Sequence, residues 1–392
     1  MKITSVTPIL LGGDERYGSH DGAAEATDQG DRLLLVRVGT DEGLAGWSDV
    51  ETFGPAAVPV LQGTGMSGLG FRTLAEELIG RDPLQPERLW DELYLATAYY
   101  GRRGVVMHAM SAVDNCLWSI RAQAAGVDLA TTLGGRRRDR LPAYASTLFR
   151  KTPHDNAAAA ARYVDLGFRG VKFGWGGFGV DPARDRDNLA AITEALPADR
   201  ALMVDPGWYV HDGDRARVRD RRQTEAMLAL LDEVRPYWVE DFVHPETPRV
   251  YCELKTEFPS LRFAAGEQQS TIWDFRRLVE EAGVDVLQPD LSRCGGLTVA
   301  TQVAAAAPDR EIVTHSWLTD LLHGYSLHFL AALPAATWVE FNVAQSVLSR
   351  GVAREHLRLD PDGTVAVPAG PGIGVEVDED FVRARRLNDA DW

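Results

Sequence analysis

The stretch from Tyr237 to Asp290 opens with YWVED (237–241), passes through RFAAGE (262–267) and closes with VDVLQPD (284–290). Each segment is a short apolar run, and each reaches an acid at its end. The same form continues outward in both directions. Upstream lie ALMVDP (201–206), GVKFG (170–174) and LPAYAS (141–146). Downstream lie EIVTHS (311–316) and TWVEFN (337–342). Between the runs, helical spacing recurs over 156–166, 184–196, 224–234 and 272–282. Strands alternating with helices at this spacing imply parallel strands joined by crossover helices. Eight repeats in about 200 residues predict a closed α/β barrel of the TIM type, (β/α)8, in a modified form. An open doubly wound sheet is the alternative, but no GxGxxG follows the first run.

The flanks do not share this rhythm. RLLLVRV (32–38), a TDEG turn (40–43) and a returning strand over 44–50 form a hairpin pattern. From Phe71 to Ala125 the spacing becomes helical, with stripes at Leu74, Leu78 and Ile79 and at Leu89, Trp90 and Leu93. The tail carries a Pro/Gly-rich stretch, VPAGPGIGVEVDEDF (367–381). The expected organisation is an α+β capping domain over 1–135, the barrel over 136–348, and a C-terminal segment over 349–392 that returns to the capping domain.

Composition narrows the function classes. The formal charge is −16, which argues against nucleic acid, because phosphate binding needs a basic surface. No apolar run reaches the roughly 18 residues that span a bilayer. The N-terminus reads as a first strand rather than a signal peptide, so a cytoplasmic protein is expected. The three cysteines, Cys116, Cys252 and Cys294, lack metal-ligand or disulfide spacing.

The chemistry lies at the strand ends. Lys172, Asp205, Glu240, Glu267, Asp290, His315 and Glu340 end seven successive runs. In such a barrel the C-terminal strand ends form the active-site face. A single strand-end acid usually caps the next helix, but Lys and His are poor caps. Asp205, Glu240 and Glu267 on adjacent strands would repel unless a cation sat between them. An all-oxygen donor set favours Mg²⁺. Asp241 should face the other side of its strand from Glu240. Asp290 and His315, on consecutive strands, fit a general-base dyad or a structural pair, and the neighbouring carboxylates favour the dyad. Glu340 could bond a substrate carboxylate, acting as donor only if protonated. Lys172 could be a snorkelling surface lysine or a catalytic cation. Candidate substrate contacts are His20 in the loop Tyr17–His20, Trp175 and Arg293, with the Glu51–Phe53 segment beside them.

At these residues the chain resembles the enolase superfamily, in its mandelate-racemase-like subgroup. The ordered set VDPGW, WVEDF, AGEQ, QPDLSRCGGLT, THSW and VEFN carries the resemblance. LATAYYGRRGVVMHAMSAVDNCLW (95–118) and PGIGVEV (371–377) are similar to the acid-sugar dehydratases, particularly the rhamnonate dehydratase-like group. The resemblance implies Mg²⁺ on Asp205, Glu240 and Glu267, a His315–Asp290 base, Glu340 near the substrate carboxylate, and a homo-oligomer. It also implies Lys-x-Lys on the second strand of racemases, whereas here the second position is Gly174. With one base missing, dehydration of a sugar acid to a 2-keto-3-deoxy acid is expected over racemisation. Mg²⁺ and Lys172 would stabilise the developing enediolate, and His315 would return its proton to the leaving hydroxyl. Two other readings stay open: an epimerase or cycloisomerase of the same superfamily, and a catalytically silent sugar-acid-binding protein.

Overall fold

The computed structural model describes residues 1–13, 32–50, 52–63, 70–212 and 215–392. The expected contact His20 lies outside the described residues, as do the rest of the Tyr17–His20 loop and Glu51.

Strands β1 (Ile3–Gly12), β2 (Arg32–Thr40) and β3 (Ala45–Val50) form an antiparallel sheet in the order β1-β2-β3. A helix over Val105–Ala124 packs against this sheet and against the barrel helix over Gly296–Ala306. It is buried on nearly every side, which explains why it is apolar all round instead of striped. Gly46 of β3 lies against the backbone of Cys116, where a Cβ would collide.

The eight predicted runs all become parallel strands. They are β4 (Arg140–Leu148), β5 (Gly170–Gly174) and β6 (Ala201–Asp205), then, after a hairpin of β7 (Tyr209–Asp212) and β8 (Arg215–Val218), β9 (Trp238–Glu240). The remaining four are β10 (Phe263–Ala265), β11 (Val286–Leu287), β12 (Glu311–Ile312) and β13 (Val339–Asn342). Their order is β13-β4-β5-β6-β9-β10-β11-β12. Side chains bridge the seam between the last two runs: the Ser316 N–H donates to Glu340 Oε2 at 2.5 Å, and Asn342 Nδ2 donates to the Trp317 carbonyl. Tyr144, Met203, Trp238, Ala264, Val286 and Val313 cluster together and fill the barrel interior, so the strands enclose a packed core.

β11 and β12 are two residues long, so Asp290 and His315 stand three residues beyond their strands. An isolated parallel bridge pairs them there. The C-terminal segment pairs β14 (Thr364–Ala366) antiparallel with the N-terminal end of β4 and then returns to β1, where the Leu387 N–H donates to the Leu10 carbonyl at 2.7 Å. Among the described residues, no helix is long and apolar enough to cross a membrane.

Candidate active site

A cavity of about 470 Å³ opens at the C-terminal mouth of the barrel. Barrel strands and loops supply Lys172, Asp205, Glu267, Arg293 and His315 to its wall, and the capping region supplies Thr52, Arg103, Gly104 and His108. Trp175 and Arg293 therefore reach the wall that the sequence assigned to them.

Asp205, Glu240 and Glu267 each place a carboxylate oxygen within 4.8 Å of the other two. All three are buried. Asp205 Oδ1 accepts from the Gly207 N–H at 2.9 Å, and Glu240 Oε2 accepts from Trp238 Nε1 at 2.7 Å and Gln288 Nε2 at 2.8 Å. Burial and the Glu240 charge push the Asp205 carboxyl well above its ordinary range.

Asp241 follows β9 in a left-handed conformation (φ 45°), is not among the residues lining the cavity, and lines a small separate void with Tyr251 and Gln269. Its Oδ2 is buried without a hydrogen-bond partner. Six buried carboxylates (Asp205, Glu240, Asp241, Glu267, Asp290 and Glu340) thus outnumber the basic groups Lys172, Arg219, Arg293 and His315 beside them. That excess of negative charge, together with an oxygen-only triad, fits a hard divalent cation such as Mg²⁺.

His315 Nδ1 lies 2.6 Å from Asp290 Oδ2, and Nε2 lies 3.1 Å from Glu267 Oε2. The other Asp290 oxygen accepts from the Ser292 N–H at 2.6 Å and the Ser292 hydroxyl at 2.7 Å. Burial opposes the charged imidazole, but Glu267, Glu340 and the Asp290 hydrogen bond outweigh it and raise His315 to about 10. A cation on Glu267 would offset the largest of these attractions.

Lys172 sits below the strand end, as its place two residues before Gly174 on the same strand face predicts. The register places Gly174, not Lys172, level with Asp205 at the strand end. Lys172 Nζ is 2.5 Å from Glu240 Oε1 and 2.8 Å from Glu340 Oε1. It is 2% exposed, which rules out a snorkelling surface lysine. Glu340 is absent from the residues lining the cavity. Burial raises its pKa, yet Lys172 and His315 outweigh burial and hold it near 2. Glu340 thus contacts Lys172 below the cavity and the turn after His315 through the Ser316 N–H.

On the β5 side, Gly174 offers no titratable group, and a Cβ there would stand 3.1 Å from Asp205 Oδ2. Aromatic rings occupy that side instead: Trp175 and Tyr209 pack with centroids 4.8 Å apart, as do Trp208 and Tyr209. Sequence reading missed Arg103, His108, Trp208 and Tyr209. The GRRG run before a long helix was the available sign for the first two.

Fold and site together define an enolase-type barrel enzyme family. The "Enolase C-terminal domain-like" family matches residues 155–381, and the "Mandelate racemase / muconate lactonizing enzyme, N-terminal domain" family matches residues 22–134. The chain belongs to the enolase superfamily through these mandelate racemase/muconate lactonizing enzyme domains. It is 31% identical to a D-galactarolactone cycloisomerase of Agrobacterium fabrum, over 99% of this chain and 100% of the relative. It is 29% identical to a D-galactonate dehydratase of Variovorax paradoxus, over 92% and 93% respectively. A solved enolase-superfamily member from Polaromonas sp. JS666 superposes with a TM-score of 0.84 at 27% identity, over 99% of this chain and 98% of that one.

Proposed function

We propose that the protein is a Mg²⁺-dependent acid-sugar dehydratase, a hydro-lyase that converts a sugar acid to a 2-keto-3-deoxy acid. The observation that carries this reading is the His315–Asp290 pair beside the Asp205–Glu240–Glu267 triad, with no titratable side chain at Gly174 on the opposite strand end. Asp205, Glu240 and Glu267 would hold Mg²⁺, which when bound supplies electrostatic stabilisation of negative charge on the substrate carboxylate.

Asp290 accepts the Nδ1–H of His315 and so leaves Nε2 as the nitrogen that takes the proton alpha to that carboxylate. Lys172 adds positive charge beneath the same carboxylate, and Glu340 keeps it there. The proton held on His315 Nε2 then passes to the β-hydroxyl as the carbon–oxygen bond breaks. Water leaves, and the resulting enol tautomerises to the 2-keto acid. The dehydratase relatives support this outcome.

A second reading is ring opening of a cyclic sugar acid by the same proton abstraction. The aromatic wall of Trp175, Trp208 and Tyr209 suits the face of a sugar ring, and the cycloisomerase relative supports it. The test is a library of acid sugars and their lactones assayed with Mg²⁺ for 2-keto acid, with product analysis by NMR. Mg²⁺-dependent formation of a 2-keto-3-deoxy acid that retains every other hydroxyl supports dehydration. Conversion of a cyclic substrate without loss of water supports ring opening. Turnover of no member contradicts both.

A further inference from the structure

The helix over Val105–Ala124 grips the loop that follows Asp290. The barrel helix after this loop begins at Gly296, and its N-cap, Gly295 (φ 115°), has no side chain with which to cap it. The capping region supplies the missing partners. Asp114 Oδ2 accepts from the Thr298 N–H at 2.8 Å, and Oδ1 accepts from the Thr298 hydroxyl at 2.6 Å. Asn115 Oδ1 accepts from the Leu297 N–H at 3.1 Å, and its Nδ2 donates to the Leu291 carbonyl at 2.9 Å. Ser111 Oγ accepts from the Gly295 N–H at 2.9 Å. A Cβ on Gly296 would strike the Asp114 carboxylate, so glycine is what permits this approach.

The gripped loop runs into the dyad. Ser292 bonds one Asp290 oxygen through both its N–H and its hydroxyl, which leaves the other oxygen for His315. Asp114, Asn115, Ser292 and Asp290 are all buried. In such a dry network, removing one partner displaces the next.

We infer that Asp114 and Asn115 are positioning residues for the Asp290–His315 dyad, acting through the loop Leu291–Thr298. The catalytic part of this inference rests on the proposed base role of His315. The geometric part does not. Outer partners that orient a reacting group matter because small displacements of that group reduce turnover steeply.

The test compares Asp114→Ala, Asp114→Asn and Thr298→Val with wild type. The first readout is the far-downfield proton resonance of the His315 Nδ1–H, assigned by its loss in His315→Asn. The second is kcat against KM for the substrate that the library identifies, and the third is Mn²⁺ affinity. Asp114→Ala should shift or broaden the resonance and lower kcat by roughly 100-fold, with Mn²⁺ affinity retained. Asp114→Asn, which keeps one acceptor oxygen, should restore both. An unmoved resonance and unchanged kcat in a folded Asp114→Ala protein would overturn the inference, leaving Asp114 as an interface residue alone. If that variant does not fold, Thr298→Val decides on the same readouts. If wild type turns over no sugar acid, the functional reading fails, and the resonance alone decides the positioning role.

Discussion

Nε2 of His315 lies 3.1 Å from Oε2 of Glu267, so the nitrogen proposed to take the substrate proton also touches a member of the carboxylate triad. Base and triad are therefore one electrostatic unit. Removing the cation should disable the base as well as the carboxylate-binding half of the site. Chelation should abolish turnover, and added Mg²⁺ should restore it. Outer partners of metal ligands already cost about 10–100-fold in affinity when lost, so Asp205→Asn should weaken Mn²⁺ binding by more than about 100-fold. Mn²⁺ titration by electron paramagnetic resonance checks this, and unaltered affinity would contradict the ligand set.

Lys172 is the cation on which two buried carboxylates depend. Lys172→Met leaves Glu240 and Glu340 without it. Breaking a buried ion pair from one side costs roughly 3–5 kcal/mol, so urea unfolding of the metal-free variant should show a loss of that order. A change within experimental error would mean that the two acids are neutral or paired elsewhere.

The absence of a base at Gly174 makes a stereochemical prediction. One nitrogen, on one face, removes the proton, so only one configuration at C2 should react. Loss of proton and hydroxyl through His315 alone requires departure from the same side. Incubating C2-epimeric sugar acids separately with Mg²⁺ should give product from one epimer. Interconversion of the epimers would require a second proton carrier on the Trp175–Tyr209 side.

Asp114 predicts a pH effect on stability. Burial, aided by the charge of Glu87 and opposed by the Thr298 and Leu297 donors, raises its carboxyl from 3.8 to about 8. The folded chain thus keeps a proton between these values that the unfolded chain has released. The contribution is full below the unfolded pKa and is lost as pH rises through about 8. Relative to Asp114→Asn, the wild type should lose stability across this window by up to about 1.4 kcal/mol per pH unit. Parallel slopes for the two proteins in urea titrations would show that Asp114 does not titrate there.

Much of this molecule is legible in its sequence because barrel strands repeat one local form. Asp205 and Glu240 could be placed from the ends of their apolar runs alone. Asp290 and His315 could be placed on consecutive strands, although each stands three residues past the hydrogen-bonded part. What was hidden depends on register and on tertiary approach. GVKFG (170–174) puts Lys172 two residues below Gly174, but it does not say that Gly174 is the residue level with Asp205. Alternation turns Glu340 inward but cannot show that Lys172 reaches it from two strands away. Arg103 and His108 join the site because the N-terminal end of the helix over Val105–Ala124 reaches the cavity, and no local pattern encodes that approach. Asp114 is obscured for the same reason: it is an acid within an otherwise apolar helix, and its partners lie 184 residues away in the chain.

The most direct test of the account is proton exchange in D₂O, followed by ¹H NMR at C2 of a substrate identified in the library, with Mg²⁺ present. Wild type should incorporate solvent deuterium at C2, or lose the C2 proton as product forms. His315→Asn should do neither, while binding Mn²⁺ with wild-type affinity. Loss of the C2 proton at the wild-type rate in His315→Asn would contradict the assignment of His315 as the base.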